Sequence, residues 1–295
     1  MTKSIVFIHT NPQQYVGAKV AEYALRRHSR HNDQFDVRLL NFVDFPHLLK
    51  REGQTYRRKG TTVAWRNRDL QSFSPLRFLP PQVMGFQGRA LVIDPDIFAV
   101  ADVHDLLSRD MGGKAILCRK TSLAPGKPLF WATSAMLLDC ARLSHWQWDN
   151  DIDAMFNHEF DYGEWITLRR EQQDSIGELE EEWNHFDTLT DRTRMLHTTE
   201  RSTQPWKTGL PVDFNLNYQQ KLSRWQALRD WLLQRLGRGP AVERYQPHPD
   251  PRQERLFFTL LKEAVEKGIL TPEFLQNEIR QQHIRPDSLK LLKAA

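Results

Sequence analysis

The sequence predicts an α/β protein with a mixed sheet flanked by helices and a helical region at its C-terminal end. Three observations carry that reading. Ser4–Thr10 is an apolar run that closes on the polar turn Asn11-Pro12, and a helical pattern and a second strand pattern follow it. A further apolar run, Ala90–Ile93, climbs to Asp94-Pro95-Asp96. From about Asn215 strand patterns give way to helical spacing.

Taken in order, Ala18–Arg27 puts Val20, Ala21, Ala24 and Leu25 on one face of a helix, and Phe35–Leu40 alternates as a strand. This strand–helix–strand order implies a parallel pair with a crossover helix. Residues 46–76 are polar and basic, with Arg51, Arg57, Arg58, Lys59, Arg66 and Arg68, and read as a helix followed by a mobile loop. Leu76–Met84 contains Pro80-Pro81 and leads into the strand before Asp94. Ala115–Arg119, Ala132–Leu138 and Met195–His197 read as short strands, and Ala141–Trp146 and Glu164–Arg170 as helices. Leu222, Trp225, Leu228, Leu232 and Leu236 then form a helical stripe. Gly237–Pro251 has the composition of a linker, and Arg252–Ala295 reads as two or three short helices broken at Gly268, Pro272 and Pro286. The expected division is a catalytic domain at 1–211 and a helical C-terminal region at 212–295.

The chain has 295 residues, enough for this arrangement. At 40% hydrophobic and 26% charged residues, its composition is that of a folded rather than a disordered protein. The net charge of +4 suits a phosphate-bearing substrate, a nucleic acid or an anionic membrane surface without choosing among them. No apolar run approaches the ~20 residues of a membrane span, and the N-terminus enters a strand without the apolar core of a signal peptide. Cys118 and Cys140 provide neither a disulfide framework nor metal-ligand spacing, and read as core thiols of a cytoplasmic protein.

Asp94 and Asp96 lie where an apolar strand ends. Residues i and i+2 of a strand point the same way, and Pro95 cannot donate a ladder hydrogen bond, so the strand stops there. Two converging carboxylates at the carboxyl end of a strand in an open α/β sheet suit a hard divalent cation and a ligand beside it. An ordinary Asp-Pro turn has the same sequence. Asp149-Asn-Asp151-Ile-Asp153 repeats the spacing, but Ala154 and Phe160 occupy positions where a calcium loop needs glycine and glutamate, so it reads as a solvated loop or helix cap.

The surroundings of the pair resemble glycosyltransferase family 8, over roughly residues 4–207. Phe7-Ile-His-Thr-Asn11 with Tyr15 is similar to the family's opening strand and turn. Leu76-Arg77-Phe-Leu-Pro80 is similar to its basic donor-contacting segment, and Val92-Ile-Asp-Pro-Asp-Ile97 to its Asp-x-Asp core. Ser134–Asp139, followed by Ala141–Trp146, resembles a later strand and helix. Glu171-Gln-Gln-Asp174, followed by Glu182-Trp-Asn184, is similar to the Asp-Gln-Asp segment. His197–Trp206 is similar to the His-x5-Lys-Pro-Trp motif. Each cue is weak alone; six in one order are not. The chain departs from the pattern at Ala132 (Asn in the family), Ser134 (Gly), Gln172 (Asp) and Gln204 (the diphosphate-binding Lys).

The resemblance implies a GT-A fold and a retaining hexosyltransferase that moves a hexose from a UDP-sugar to a hydroxyl of a saccharide or lipid-linked acceptor. It implies Asp94, Asp96 and His197 as ligands of Mn²⁺, with Mg²⁺ as the alternative. Thr10, Asn11, Tyr15, Arg77 and Asp94 would hold the nucleotide sugar, and Arg201 or Lys207 would supply the charge missing at Gln204. Gln173 and Asp174 would be catalytic, stabilising the cationic sugar while the departing phosphate oxygen takes the acceptor proton. Asp174 as a covalent nucleophile is the variant of that scheme. The competing class is a GT-A-fold protein that binds nucleotide sugar, or regulates, without turnover. Nucleic acid is not an expected partner, because the basic 51–68 stretch lacks a recognition motif or aromatic stacking run. A nucleotidyltransferase would need a Gly-rich phosphate loop, and His9–Ala18 contains only Gly17. The Leu222–Leu236 helix, with Trp225, Trp231 and several arginines, either docks its Leu stripe on the catalytic domain or lies on an anionic membrane at the inner face.

Overall fold

In the computed structural model, residues 3–69, 71–122, 126–214 and 243–294 are described. The Leu222–Leu236 helix and the first part of the expected linker lie outside them. The described strands are β1 (Ser4–Thr10), β2 (Phe35–Asn41), β3 (Thr55–Arg58), β4 (Thr61–Ala64), β5 (Arg89–Ile93), β6 (Ile97–Ala99), β7 (Ile116–Thr121), β8 (Phe130–Asp139), β9 (Ile176–Glu178), β10 (His185–Phe186) and β11 (Met195–His197). The main sheet has six strands in the order β2-β1-β5-β8-β7-β9. β1 runs parallel to β2 and β5, whereas β8 is antiparallel to β5 and β7. This is the mixed, helix-flanked sheet that the sequence predicts.

The sheet is buried on both faces, which is why its strands read as continuous apolar runs rather than as alternations. Alternate residues serve different cores. Val6, Ile8, Leu91, Ile93 and Leu137 pack into one cluster with helix α1 (Tyr15–His28) and the C-terminal helices. Ile5, Phe7, Ala90, Val92, Met136 and Leu138 pack into the other, with Trp146, Trp148 and Trp165. His9 and Asp94 continue the second set by strand parity. β1 and β5 pair up to Ile8 and Ile93, so the next residue along each strand brings His9 to Asp94.

The C-terminal helices Pro251–Glu266, Pro272–Arg280 and Ser288–Ala294 fall as the Gly and Pro breaks predict. The first places Phe257, Phe258 and Leu261 in the same core as α1. Arg27 and Tyr23 of α1 hold Glu263 across that contact. The Arg27 hydrogen bond outweighs a smaller burial penalty and draws the Glu263 carboxyl down to about 2. In the linker region Arg244 bridges Pro211 and Tyr245 is buried.

Three local expectations need correction. Residues 46–76 do not form a helix and a loop. After the short helix Pro46–Leu49 they form the β3–β4 hairpin. Tyr56 points inward and meets Trp65, Phe156 and Tyr162 edge-on, while Arg57 and Thr55 point out. The tip Lys59-Gly60 has φ of 51° and 75°, the left-handed pair that a two-residue hairpin needs. Ala141–Trp146 contains only the 3₁₀ turn Cys140–Arg142. Glu164–Arg170 is not one helix: the helix Tyr162–Trp165 stops early, and Leu168 at φ 55° is left-handed. The Asp149–Asp153 cluster opens the helix Trp148–Phe156, where Asp149 and Asp151 sit in the first turn and suit its dipole.

Cys118 and Cys140 are buried core thiols as expected. Burial raises both, and it pushes Cys140 up to about 12, so neither forms a reactive thiolate near neutral pH.

The turn Asp94-Pro95-Asp96 abuts α1 at Gly17, where an added Cβ would come within 2.8 Å of the Pro95 carbonyl oxygen. Backbone, not a flexible side chain, receives that clash. Gly17→Ala is therefore expected to destabilise the fold by about 1–3 kcal/mol despite alanine's better helix propensity. Urea unfolding of the two proteins measures it, and equal midpoints would refute the close approach.

Candidate metal and donor site

His197 reaches the carboxylate pair through the small sheet β10-β11-β6. β6 follows Asp96 directly and pairs antiparallel with β11, Ile97 opposite His197. Thr198 then donates its backbone N–H to the Asp96 carbonyl at 3.1 Å. Ligating atoms of Asp94, Asp96 and His197 lie within 4.8 Å of one another. The two aspartates converge across a turn rather than as i and i+2 of one strand, since β5 ends at Ile93.

Within this triad the two carboxylates have different partners. Asp94 is saturated. Arg77, on the 3₁₀ turn Ser74–Phe78, binds it in a fork, Nε to Oδ1 at 3.0 Å and Nη2 to Oδ2 at 2.5 Å. The His9 Nε2 contact to Oδ1 is 2.7 Å. Burial opposes the Asp94 charge, but Arg77 and then His9 outweigh it and hold the carboxyl below the usual range. His9 is itself wholly buried, and burial lowers its pKa against the pull of Asp94, so the ring is neutral at pH 7.

Asp96 keeps a free acceptor. Its Oδ2 takes a hydrogen bond from Gln204 Nε2 at 3.2 Å, and Gln204 Oε1 accepts from Gln14 Nε2 at 3.0 Å. Its Oδ1 is buried and has no hydrogen-bond partner. That oxygen faces His197 Nε2 at 3.3 Å. Asn184 donates Nδ2–H to Ser134 Oγ at 2.9 Å, and in that orientation its Oδ1 accepts from His197 Nδ1 at 2.8 Å. The proton sits on Nδ1, and Nε2 presents a lone pair to the Asp96 oxygen. With the proton on Nδ1 two acceptors face each other, an arrangement that a cation relieves. Two carboxylates and a neutral imidazole fit Mn²⁺ or Mg²⁺, with Arg77 cancelling one of the two negative charges.

The triad lies at the wall of a cavity of about 810 Å³. Arg77, Asp94, Asp96, His197, Arg201 and Gln204 line it together, with Phe73, Ser134, Glu164 and Arg169 among the other walls. The other candidate site residues, Thr10, Asn11, Tyr15, Gln173, Asp174 and Lys207, do not line it. Thr10 and Asn11 are wholly buried. Asn11 caps the turn Pro12–Gln14, accepting from Gln14 N at 3.1 Å, and donates to Ser72 Oγ at 3.3 Å and the Asp69 carbonyl at 3.4 Å. Tyr15 sets its ring against Phe274. Lys207 is fully buried and paired with Asp213, and burial draws its pKa down. Gln173 donates to the carbonyls of Leu168 and Glu171 and accepts from Trp131 Nε1 at 2.9 Å, while Asp174 is exposed beside Lys114.

Sequence reasoning missed two working parts. Gln204 reads as the absence of a lysine, but it orients Asp96. Asn184 stands within the Glu182-Trp-Asn184 segment without an assigned role, and it sets the protonation of His197.

No family profile and no curated protein matches the sequence. Among the solved structures that the chain resembles are several glycosyltransferases. It is 16% identical to the glycosyltransferase GlyE of Streptococcus pneumoniae TIGR4, over 92% of this chain and 65% of that one, at TM-score 0.49. It is 12% identical to the WbbM bifunctional glycosyltransferase, over 81% and 52%, at 0.47. It is also 12% identical to the galactosyltransferase LgtC in complex with donor and acceptor sugar analogues, over 69% and 89%, at 0.44. The chain thus spans less than two thirds of the length of GlyE and WbbM, and each of the three TM-scores lies below 0.5.

Two outcomes follow. Asn184→Leu removes the acceptor that holds the Nδ1 proton and is expected to weaken Mn²⁺ binding about 10- to 100-fold; Mn²⁺ titration followed by electron paramagnetic resonance reads it, and unchanged affinity refutes the role. The second concerns pH. The folded Asp94 pKa lies below the unfolded value of ~3.9, so its contribution is complete above that value and is lost as pH falls toward the folded one. Arg77→Gln should therefore cost about 3–5 kcal/mol of stability at pH 7. That deficit should shrink below about pH 4. A deficit in urea unfolding that stays constant with pH would assign the loss to packing instead.

Proposed function

We propose that this protein is a metal-dependent retaining glycosyltransferase that moves a hexose from a UDP-sugar to a saccharide or lipid-linked hydroxyl. The observation that carries the reading is the Asp94–Asp96–His197 triad, with the unpartnered Asp96 Oδ1 facing the His197 lone pair, in the wall of a cavity large enough for a sugar nucleotide. The order of sequence cues around it supports the same reading. A Mn²⁺ or Mg²⁺ ion there would neutralise the charge that develops on the diphosphate leaving group.

The residues of the chain have separable tasks in this scheme. Asp96 and His197 supply the open ligand atoms, and Asn184 keeps His197 Nε2 unprotonated. Gln204 and Gln14 aim Asp96. Arg77 reaches the cavity while compensating Asp94. Arg201 lines the cavity beside Gln204 and carries the charge that the family's lysine would provide. Catalytic roles for Gln173 and Asp174, and nucleotide contacts for Thr10, Asn11, Tyr15 and Lys207, rest on the resemblance. They need these side chains to exchange their present partners for substrate. Acceptor attack on the donor's leaving-group face, with a phosphate oxygen taking the proton, requires no protein base. Among the described residues no helix is long and apolar enough to cross a membrane. Residence in the cytoplasm, with peripheral contact through the apolar and basic 222–236 sequence, belongs to the same proposal.

A specific observation favours a second reading, a nucleotide-sugar-binding or regulatory protein without turnover. The neutral Gln204 stands in for the diphosphate lysine, and Gln173 and Asp174 do not line the cavity.

Asp96→Ala is the direct test. Calorimetry should show Mn²⁺-dependent UDP affinity falling at least about tenfold, equivalent to ~1.4 kcal/mol, and donor hydrolysis should vanish. Unchanged Mn²⁺–UDP affinity would sink the metal assignment. Tight, Mn²⁺-dependent binding in the unsubstituted protein without any release of UDP would select the non-catalytic reading.

A further inference from the structure

The part of the cavity away from the metal triad is basic. Lys59, Lys127 and Arg169 line it, and none forms an ion pair with a carboxylate among the described residues. They come from three elements: the tip of the β3–β4 hairpin, the connection between β7 and β8, and the segment after the helix Tyr162–Trp165. Convergence from separate elements on one hollow differs from a run of surface lysines along one helix.

The hairpin tip is held in place there. Asp161 accepts the backbone N–H groups of Lys59 at 2.9 Å, Gly60 at 2.7 Å and Gly163 at 2.7 Å. These bonds hold the Asp161 carboxyl below its usual range, against burial, and fix it beneath the hairpin tip. Glu164 is the other acid of that wall, so the four cations Arg58, Lys59, Lys127 and Arg169 face two carboxylates, an excess of two positive charges. The wall is also tied to the metal end: Arg77 Nη1 donates to Thr133 Oγ1 at 3.1 Å, and that hydroxyl donates to the Ile166 carbonyl at 2.8 Å. A ligand on the basic wall thus sits across a short polar bridge from the triad.

Resting on the donor reading above, we propose that the acceptor is an anionic saccharide, whose phosphate or carboxylate is held by Lys59, Lys127 and Arg169. Glu164 remains to accept a hydrogen bond from a sugar hydroxyl. The donor's own diphosphate is served at the opposite end, by the triad and Arg201.

Saturation-transfer NMR on the full chain with EDTA present tests this, using glucose 6-phosphate, glucuronic acid and glucose as probes. Without metal the triad contributes no cation to the binding of phosphate. Either anionic sugar should bind about tenfold more tightly than glucose, the worth of a few partly exposed ion pairs. The double variant Lys59→Gln/Arg169→Gln should abolish the preference, with a melting temperature unchanged because both side chains are exposed. Arg201→Gln should preserve it. Equal binding of the three sugars by the unsubstituted protein overturns the proposal, as does a preference that survives the double variant or disappears in Arg201→Gln. A preference confined to one anion assigns the group as phosphate or carboxylate and supports the site. A parallel titration with Mn²⁺–UDP separates the two readings: preference for the anionic sugars without uptake of Mn²⁺–UDP supports the basic site and overturns the donor reading alone.

Discussion

The pairing of β6 with β11 is the constraint on which the site depends. Its register, Ile97 opposite His197, brings an imidazole from late in the chain beside the turn that ends β5. A shift by one residue would turn His197 to the other face of the strand and leave Asp96 opposite a backbone. The turn itself is pressed from behind by α1 at Gly17 and from the side by Thr198, which bonds the Asp96 carbonyl. The ligand geometry is therefore a consequence of main-chain packing, with little freedom left to the side chains.

Within that frame the two aspartates divide the electrostatic work. Asp94 is a buried anion compensated by Arg77 and His9, the condition under which a charge can persist inside a protein. Asp96 is oriented by a neutral amide and keeps one oxygen free. A lysine at 204 would neutralise the site before any ligand arrived, whereas Gln204 directs the carboxylate without cancelling it. The departure from the family pattern thus has a physical consequence: more negative charge stays available to a cation, and less positive charge to a diphosphate. Arg201 is a cation on the same cavity wall.

Much of this was legible in the sequence. Ile5–Ile8 and Ala90–Ile93 are apolar at every position because both faces of their sheet are covered, and the breaks at Gly268 and Pro272 separate helices as the sequence predicts. The hairpin at residues 55–64 was hidden because the basic side chains dominate its composition; the signal was Tyr56 alternating with polar neighbours before Lys59-Gly60. Asn184 was hidden for a different reason. Its task is defined by a hydrogen bond to a ring that lies on another strand, and no local pattern encodes that.

The sequence by itself determined β1, β2, β5, β7, β8 and β11, the strand end at Pro95 and the candidate carboxylate ligands, because those follow from local periodicity and the chemistry of single residues. The tertiary structure alone decided which groups are free. It placed Arg77 on Asp94, Lys207 on Asp213 and Asn11 on its own turn, and left Asp96 Oδ1 without a partner. Whether a polar atom is available to a ligand depends on all its neighbours at once, and those neighbours are brought together only by folding.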